Sequence, residues 1–270
     1  MSPPGPSGGG PPLERPSAAR MYDYWLGGSH NFAADRAAGD RVAAAIPGIR
    51  QIVQVNRAFL GRAVRFVVAQ GVDQFLDLGA GLPTMGSVHE VAQAANPAAR
   101  VAYADLDPVA VAYADRLLRD NRLAIAVHGD LRRPREILRH AAVRGLLDFD
   151  RPVALVLGSV LHFVVDDAEA EAIVRTLRAA LASGSHLVLS HAAYDYLPPE
   201  EREQVERLSV AAGAPLRARD RAQIARYFDG LEVAEPGVVY LPLWRPDDPA
   251  GLFRETPEQA AGYGGVGRKP

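Results

Sequence analysis

The stretch Phe-Leu-Asp-Leu-Gly-Ala-Gly at residues 75–81 joins an apolar strand, an acidic side chain and two glycines. A second apolar run, residues 101–104, follows a helical pattern and ends in Asp105. Glycines allow backbone N–H groups to approach a ligand, and a carboxylate at the next strand end can accept hydrogen bonds from both ribose hydroxyls. This order of strand, glycine turn, helix, strand and carboxylate predicts the nucleoside-binding half of an open α/β sheet.

The carboxylate of Asp77 indicates which nucleoside the turn would bind. A dinucleotide site holds a pyrophosphate at a neutral turn and usually has a third glycine. Here Thr84 stands at the position of the third glycine, and an acid precedes the first. Such a site repels a pyrophosphate and suits a cationic ligand. S-adenosylmethionine carries an ammonium and a sulfonium on adenosine, so we predict it as the cofactor, bound by Asp77, Gly79, Ala80 and Gly81.

A third strand end adds a carboxylate to the same edge of the predicted sheet. Residues 123–127 form a short apolar run that leads into His-Gly-Asp-Leu. The ends of neighbouring parallel strands line one crevice, so Asp130 is expected to face the cofactor and to accept from the adenine amine. The Leu131 N–H would donate to a ring nitrogen, and Leu106 belongs to the same predicted set. Alternatively, Asp130 caps the helix that begins near Pro134.

Methyl transfer from S-adenosylmethionine requires that the protein align the acceptor nucleophile. Where the acceptor is only weakly acidic, the protein must also remove its proton. Candidate side chains must therefore lie at the crevice end of the fourth strand, in the loop of residues 158–163. His162 is the titratable side chain of this loop and can accept a proton at neutral pH, so we predict it as the general base. The alternative is a histidine that packs within its own turn. Ser159, in the same loop, is predicted to contact the cofactor.

The segment Arg-Met-Tyr-Asp-Tyr-Trp at residues 20–25 concentrates aromatic and charged side chains. Aromatic rings over a sulfonium are favourable through the cation–π effect. We predict Tyr22 at the cofactor and Tyr24 as a catalytic residue that orients the acceptor; the alternative is a stripe that docks this helix onto the sheet. Arg57 is predicted to pair with the methionine carboxylate through charge-assisted hydrogen bonds, unless it is simply solvated.

Alternating apolar runs and helical patterns predict an α/β fold with a mostly parallel sheet and an antiparallel last strand. The predicted strands are residues 75–78, 101–104, 123–127, 153–157, 186–190, 231–239 and 262–267. The predicted sheet helices are 85–95, one opened by Asp107-Pro108, one from Pro134, one from Asp166 to Leu181, 198–211 and 219–228. Before the sheet, helical patterns begin at Ser17, at Ala33 and near Ile52.

The chain divides into three predicted parts. Residues 1–16 are rich in Pro, Gly and Ser and are expected to be a disordered tail. Residues 17–70 are expected to form a helical lid, and residues 71–270 the cofactor-binding domain. A chain of 270 residues can bury one large α/β core of this kind.

Composition excludes several classes of function. Without cysteine, the chain has no disulfides, thiolate metal sites or cysteine nucleophiles, and no metal-ligand spacing is recognisable. No apolar run reaches membrane-spanning length and no leader pattern begins the chain, so we expect a soluble, cytoplasmic protein without a membrane partner. A net charge of −2 gives no broad footprint for nucleic acid. The oligomeric state is left open.

Beyond these patterns, the sequence resembles the class I S-adenosylmethionine-dependent methyltransferases, and more narrowly the actinobacterial S-adenosyl methyltransferase family, long catalogued as a domain of unknown function. The resemblance lies in residues 16–28, 31–36, 56–60, 74–84, 105–108, 160–163, 244–246 and 264–270. It implies a Rossmann-like, seven-stranded methyltransferase sheet and binding of S-adenosylmethionine. It implies no particular substrate.

Three functions of different classes are compatible with these patterns. The favoured one is methyl transfer from S-adenosylmethionine to an oxygen or nitrogen nucleophile of a small molecule. A non-catalytic S-adenosylmethionine-binding module or regulator would keep the same glycines and acids. A nicotinamide-dependent oxidoreductase would use the same half-sheet, but Asp77 and Thr84 argue against it.

Overall fold

Three helices precede the sheet. The computed structural model describes residues 14–46, 48–83, 86–248 and 250–270, so Thr84 and residues 1–13 of the predicted tail lie outside the described residues. Helices α1 (Ala18–Trp25) and α2 (Ala33–Ala45) are followed by the 21-residue α3 (Ile49–Ala69). These three helices occupy the positions that the sequence predicts.

One sheet of eight strands organises the rest of the described chain. In chain order the strands are β1 (Gln74–Leu78), β2 (Arg100–Asp105), β3 (Ala124–His128), β4 (Ala154–Gly158), β5 (His186–Ala192), β6 (Glu232–Val233), β7 (Val239–Tyr240) and β8 (Gly262–Arg268). Their spatial order is β3-β2-β1-β4-β5-β8-β6, and β7 also pairs with β8. The first five strands are parallel and β8 is antiparallel to β5. The predicted α/β fold with an antiparallel last strand is confirmed.

Helices cover both faces of the sheet. They are α4 (Val88–Ala95), α5 (Pro108–Leu117), α6 (Pro134–Arg139), α7 (Ala141–Leu146), α8 (Asp167–Ala179), α9 (Pro199–Ala211) and α10 (Arg221–Arg226). Successive strand residues point to opposite faces, so Phe75 packs in one core with Phe59 of α3, and Leu76 in the other with Leu177 of α8. Because both faces are buried, the central strands are mostly apolar, which explains why they could be predicted.

Two elements have other bounds than the sequence predicts, because local hydrogen bonds determine where they begin and end. The prediction of a single strand over residues 231–239 is wrong, because this segment forms two separate two-residue strands, β6 and β7. Pro236 cannot donate to a ladder, and the Gly237 N–H closes a turn onto the Ala234 carbonyl (2.9 Å). The helix predicted from residue 85 begins at Val88, because the Glu90 carboxylate accepts from the Ser87 N–H (3.2 Å).

One further prediction concerns the start of α5. Asp107 caps α5 as predicted, since its carboxylate accepts from the Val109 N–H (2.9 Å) and Pro108 follows.

Among the described residues, no helix has both the length and the apolar character needed to cross a membrane. Within the same residues, no group of three or more His, Asp or Glu side chains could hold a metal ion.

Candidate functional site

The turn after β1 requires glycine at two positions. Gly79 and Gly81 have φ of +68° and +63°, a region that residues with a side chain rarely adopt. A Cβ on Gly79 would lie 2.0 Å from the Cγ2 atom of Val160, in the loop after β4. The Gly81 N–H donates to the Asp105 carboxylate (2.7 Å), which joins the ends of β1 and β2. The predicted glycine turn therefore lies at the carboxyl edge of the sheet.

The two predicted acids differ in how they are held. Asp105 is partly exposed, and its carboxylate accepts from the N–H groups of Gly81 (2.7 Å) and Asp107 (2.8 Å). Burial raises the pKa of Asp105, and these two hydrogen bonds oppose the rise. Asp77 is only 8% exposed; burial raises its pKa to about 7, Arg57 opposes the rise and the Asp105 charge adds to it. Asp77 is thus an acid whose charged form needs a cation beside it.

Arg57 and Tyr22 face each other across the interface between α3 and α1. The Arg57 guanidinium carbon lies 5.5 Å from the centre of the Tyr22 ring. The Tyr22 hydroxyl donates to the Val53 carbonyl (3.1 Å) and accepts from Asn56 Nδ2 (2.9 Å), so its ring, more than its oxygen, is available to a ligand. Arg57 Nε is buried without a hydrogen-bond partner. A buried orphan donor beside Asp77 is complementary to an anionic ligand group.

Helix α1 forms a roof over the glycine turn. A Cβ at Gly81 would be 3.6 Å from the Cβ of Ala19. The neighbouring Arg20, buried at 2% exposure, pairs with Asp35 of α2 (2.9 Å) and with Asp107, the N-cap residue of α5 (3.1 Å). The predicted lid residues therefore lie over the predicted cofactor turn, held by a buried ion pair; that they open and close stays a prediction.

A hydrogen-bond network that the sequence does not predict holds the loop after β4. Ser159 has φ of +53°, and its N–H donates to Ser190 Oγ (3.0 Å). The Ser190 hydroxyl donates in turn to Asn56 Oδ1 (2.6 Å), which connects β5 with α3 and, through Asn56, with Tyr22. In the sequence, the signal for this contact is a polar side chain, Ser190, that follows the apolar residues of β5.

Leu106, Asp130 and Leu131 are grouped at the ends of β2 and β3. A cavity of about 320 Å³ lies there, lined by Leu106, Asp130 and Ile137 among others. Leu106 is 51% exposed, whereas Leu131 is buried. Asp130 does not cap α6; its carboxylate accepts from the N–H and Nε of Arg132 (2.9 and 3.0 Å). Burial alone would raise the Asp130 pKa, but these bonds hold it below its ordinary value.

His162 is buried beneath the crevice. Its Nδ1 accepts from the Ala192 N–H (3.4 Å), and its ring meets that of His191 edge-on with centroids 5.6 Å apart. Burial, and then the charge of Arg219, lower its pKa to about 3. The imidazole is therefore neutral at physiological pH but weakly basic, which makes it a poorer proton acceptor than the sequence suggests. Its role as a base stays a prediction.

Tyr24 is directed to a different place from Tyr22. Its hydroxyl donates to the Asp40 carboxylate (2.8 Å) in α2, and the Arg50 guanidinium lies 4.9 Å from its ring centre. A Cβ on Gly39 would lie 3.0 Å from the Tyr24 ring, so the ring packs closely on α2. Tyr24 therefore packs with helices α2 and α3 and, among the described residues, not at the strand ends. Its assignment as a catalytic residue stays a prediction without a supporting contact.

These residues fit S-adenosylmethionine on two observations. The buried Nε of Arg57 has no partner, as expected of a group that binds the methionine carboxylate. No hydrogen bond from a described residue offsets the burial of the Asp77 carboxylate, as expected of a group that binds a cation.

Comparison with known proteins identifies the family. The profile of the S-adenosyl methyltransferase family matches residues 12–270. A candidate methyltransferase from Thermobifida fusca YX is 40% identical, with 95% of this chain and 96% of that chain covered and a TM-score of 0.89. A DUF574 family protein from Streptomyces avermitilis is 37% identical, with 96% of this chain and 99% of that chain covered and a TM-score of 0.89.

A more distant structure shares the fold alone. The N-methyltransferase NodS from Bradyrhizobium japonicum, crystallised with S-adenosyl-l-homocysteine, is 13% identical, covers 88% of this chain and 98% of its own, and has a TM-score of 0.52. No curated protein matches the chain. The close matches decide against a nicotinamide-dependent oxidoreductase. Since they run from the N-terminal helices to the last strand, the chain belongs to the S-adenosyl methyltransferase family, whose cofactor is S-adenosylmethionine.

Proposed function

We propose that the protein transfers the methyl group of S-adenosylmethionine to an oxygen or nitrogen nucleophile of a small molecule. The roof that α1 forms over the glycine turn, closed by the ion pairs of Arg20, is the observation that carries the small-molecule assignment. A polymer would have to displace this roof to reach the glycine turn. The net charge of −2 also provides no broad attraction for nucleic acid.

The residues of the crevice have separate roles in this proposal. Asp77 is assigned to the cofactor's ammonium, Arg57 to its carboxylate and Asp105 to its ribose hydroxyls. Leu106 and Asp130 are assigned to adenine, one by apolar contact and the other by accepting from the amine. Further predicted contacts are the backbone groups of Gly79, Ala80, Gly81, Leu131 and Ser159, and the ring of Tyr22.

The bound cofactor supplies a methyl carbon activated by a positively charged sulfur. A lone pair of the acceptor forms the new bond to that carbon while the carbon–sulfur bond breaks, and its electron pair stays on sulfur. The acceptor's proton passes to water or to a base of the protein. His162 is the predicted base, but its pKa of about 3 makes it a weak one, which favours an acceptor that is already ionised and needs no base.

Calorimetric titration combined with a methyl-transfer assay tests this function. We expect S-adenosylmethionine and S-adenosylhomocysteine to bind, and label from the methyl group to appear in a small-molecule pool. Arg57→Gln should weaken cofactor binding about tenfold or more by removing a charge-assisted bond. Arg65→Gln, an exposed change on the same helix, is the matched control and should bind normally.

Two results would contradict the proposal. Methylation of RNA or protein together with failure of every small molecule would refute the acceptor class. Equal cofactor affinity for Arg57→Gln and Arg65→Gln would refute the assignment of Arg57.

A further inference from the structure

A second cavity, of about 230 Å³, opens beyond the carboxyl end of β5. Strands β4 and β5 run parallel and end side by side, so this cavity shares an edge of the sheet with the loop after β4. Its wall touches that loop through the Arg217 N–H, which donates to the His162 carbonyl (2.8 Å), and touches β5 through Arg219, whose Nη1 lies 3.0 Å from His191 Nε2. The cavity is therefore positioned on the acceptor half of the crevice.

Arg202 of α9 and Asp195 after β5 carry opposite charges and line this cavity, and neither has an ion-pair partner in the described part of the chain. The Nε atom of Arg202 is buried and has no hydrogen-bond partner. Asp195 Oδ2 accepts from the Tyr263 hydroxyl (2.9 Å), but its Oδ1 is buried and unpartnered. A buried donor or acceptor that makes no hydrogen bond destabilises the folded protein, so the pair is expected to have a ligand.

The neighbouring charges are already compensated. Arg219 pairs with Asp167 (2.9 Å), and Arg217 with Glu206 (3.7 Å). Glu203 pairs with Arg207 on the outer side of α9 (3.3 Å). Asp220 accepts from the Gln223 N–H (2.8 Å) as the cap of α10. Arg202 and Asp195 are therefore the charged residues of this cavity that combine the lack of an ion pair, within the described part of the chain, with a buried polar atom that has no hydrogen-bond partner.

We propose that this cavity binds a small zwitterion, whose carboxylate pairs with Arg202 and whose ammonium pairs with Asp195. Pockets for drug-sized ligands span about 300–1,000 Å³. A volume of about 230 Å³ is below that range and corresponds to a molecule of amino-acid size.

This inference rests on the proposed function, because the zwitterion is taken to be the methyl acceptor. An ammonium has no lone pair, so the methylated atom is a further oxygen or nitrogen of the same molecule. Its proton is lost as described for the general transfer.

The natural α-amino acids, titrated by calorimetry into the full chain saturated with S-adenosylhomocysteine, provide the probes. Each is compared with its methyl ester, which lacks the negative charge, and its N-acetyl derivative, which lacks the positive one. We expect at least one amino acid to bind tenfold or more tightly than both of its derivatives. Absence of any such preference would overturn the inference.

Variants locate the two charges. Arg202→Gln should abolish the preference over the ester, and Asp195→Asn the preference over the N-acetyl derivative. Glu200→Gln, an exposed change on the same helix and outside the cavity, should keep both preferences. Unchanged binding of S-adenosylhomocysteine shows that a variant is folded. Wild-type preferences in folded Arg202→Gln and Asp195→Asn proteins would overturn the inference.

Transfer assays separate this inference from the proposed function. If a small molecule is methylated equally by the wild type, Arg202→Gln and Asp195→Asn, the zwitterion site is wrong and the proposed function stands. If an amino acid binds with both charge dependences but no small molecule accepts a methyl group, the site is supported and the proposed function fails.

Discussion

Replacing Asp77 by asparagine should make the cofactor-free protein more stable at neutral and alkaline pH, although it removes a cofactor contact. Burial raises the pKa of Asp77 from 3.8 to about 7, so the folded state holds this proton more tightly than the unfolded chain. The contribution of Asp77 to stability is therefore full below pH 4 and is lost as pH rises towards 7, above which the loss is constant. Asparagine cannot ionise, so the Asp77→Asn variant does not lose this stability as the pH rises.

The expected size follows from the shift. One pKa unit corresponds to about 1.36 kcal/mol, and the site titrates between its unfolded and folded values. With pKa values of 3.8 and about 7, the ionisation of Asp77 lowers the free energy of unfolding by about 2–3 kcal/mol between pH 5 and pH 8. The difference in unfolding free energy between Asp77→Asn and wild type should grow by that amount over this range.

Urea unfolding at unit pH intervals from 5 to 8, without cofactor, measures the difference. Asp115→Asn, an exposed change on α5, is the matched control and should follow the wild-type curve. Parallel curves for Asp77→Asn and wild type would refute the reasoning, because they would mean that Asp77 is already ionised at pH 5 in the folded protein.

Four further outcomes are expected. Wild-type affinity for S-adenosylmethionine, measured by calorimetry, should rise from pH 6 to pH 8 as Asp77 ionises, and Asp77→Asn should lose this dependence. Asp105→Ala should cost about 1–3 kcal/mol of cofactor binding, and unchanged affinity would rule out the ribose contact. Arg20→Gln breaks a buried pair with Asp107 and should speed hydrogen exchange in α1; unchanged exchange would show that the pair does not hold the roof. If His162 is the base, His162→Gln should lower turnover about a hundredfold at unchanged cofactor affinity, whereas joint loss of stability and binding would mark a structural histidine.

The elements and the cofactor turn could be predicted because local patterns determine them. Residues 75–78 are apolar except for Asp77 and lie in a sheet buried on both faces, and Asp107-Pro108 satisfies the first turn of α5 by itself. The two glycines of the turn have positive φ, which sequence alone associates with that residue type.

Contacts between distant segments could not be predicted. Arg20 and Asp107 are 87 positions apart, and Asn56 and Ser190 are 134 apart, so no spacing rule relates them. The direction of Tyr24 depends on how α1 rotates against α2, where Gly39 leaves room for its ring. The basicity of His162 depends on burial and on Arg219, neither of which the loop sequence contains.

The position of β8 has a consequence for how the chain folds. This strand, residues 262–268, lies between β5 and β6, so the sheet cannot be completed until residues far apart in the chain meet. Its glycines admit side chains from both layers: a Cβ on Gly264 would lie 2.7 Å from Phe59, and one on Gly267 would lie 2.9 Å from Phe228. Such non-local pairing is slow to form. Until β8 docks, the backbone N–H and C=O groups along one edge of β5 are unpaired, and an open edge of this kind can pair with another chain and promote aggregation.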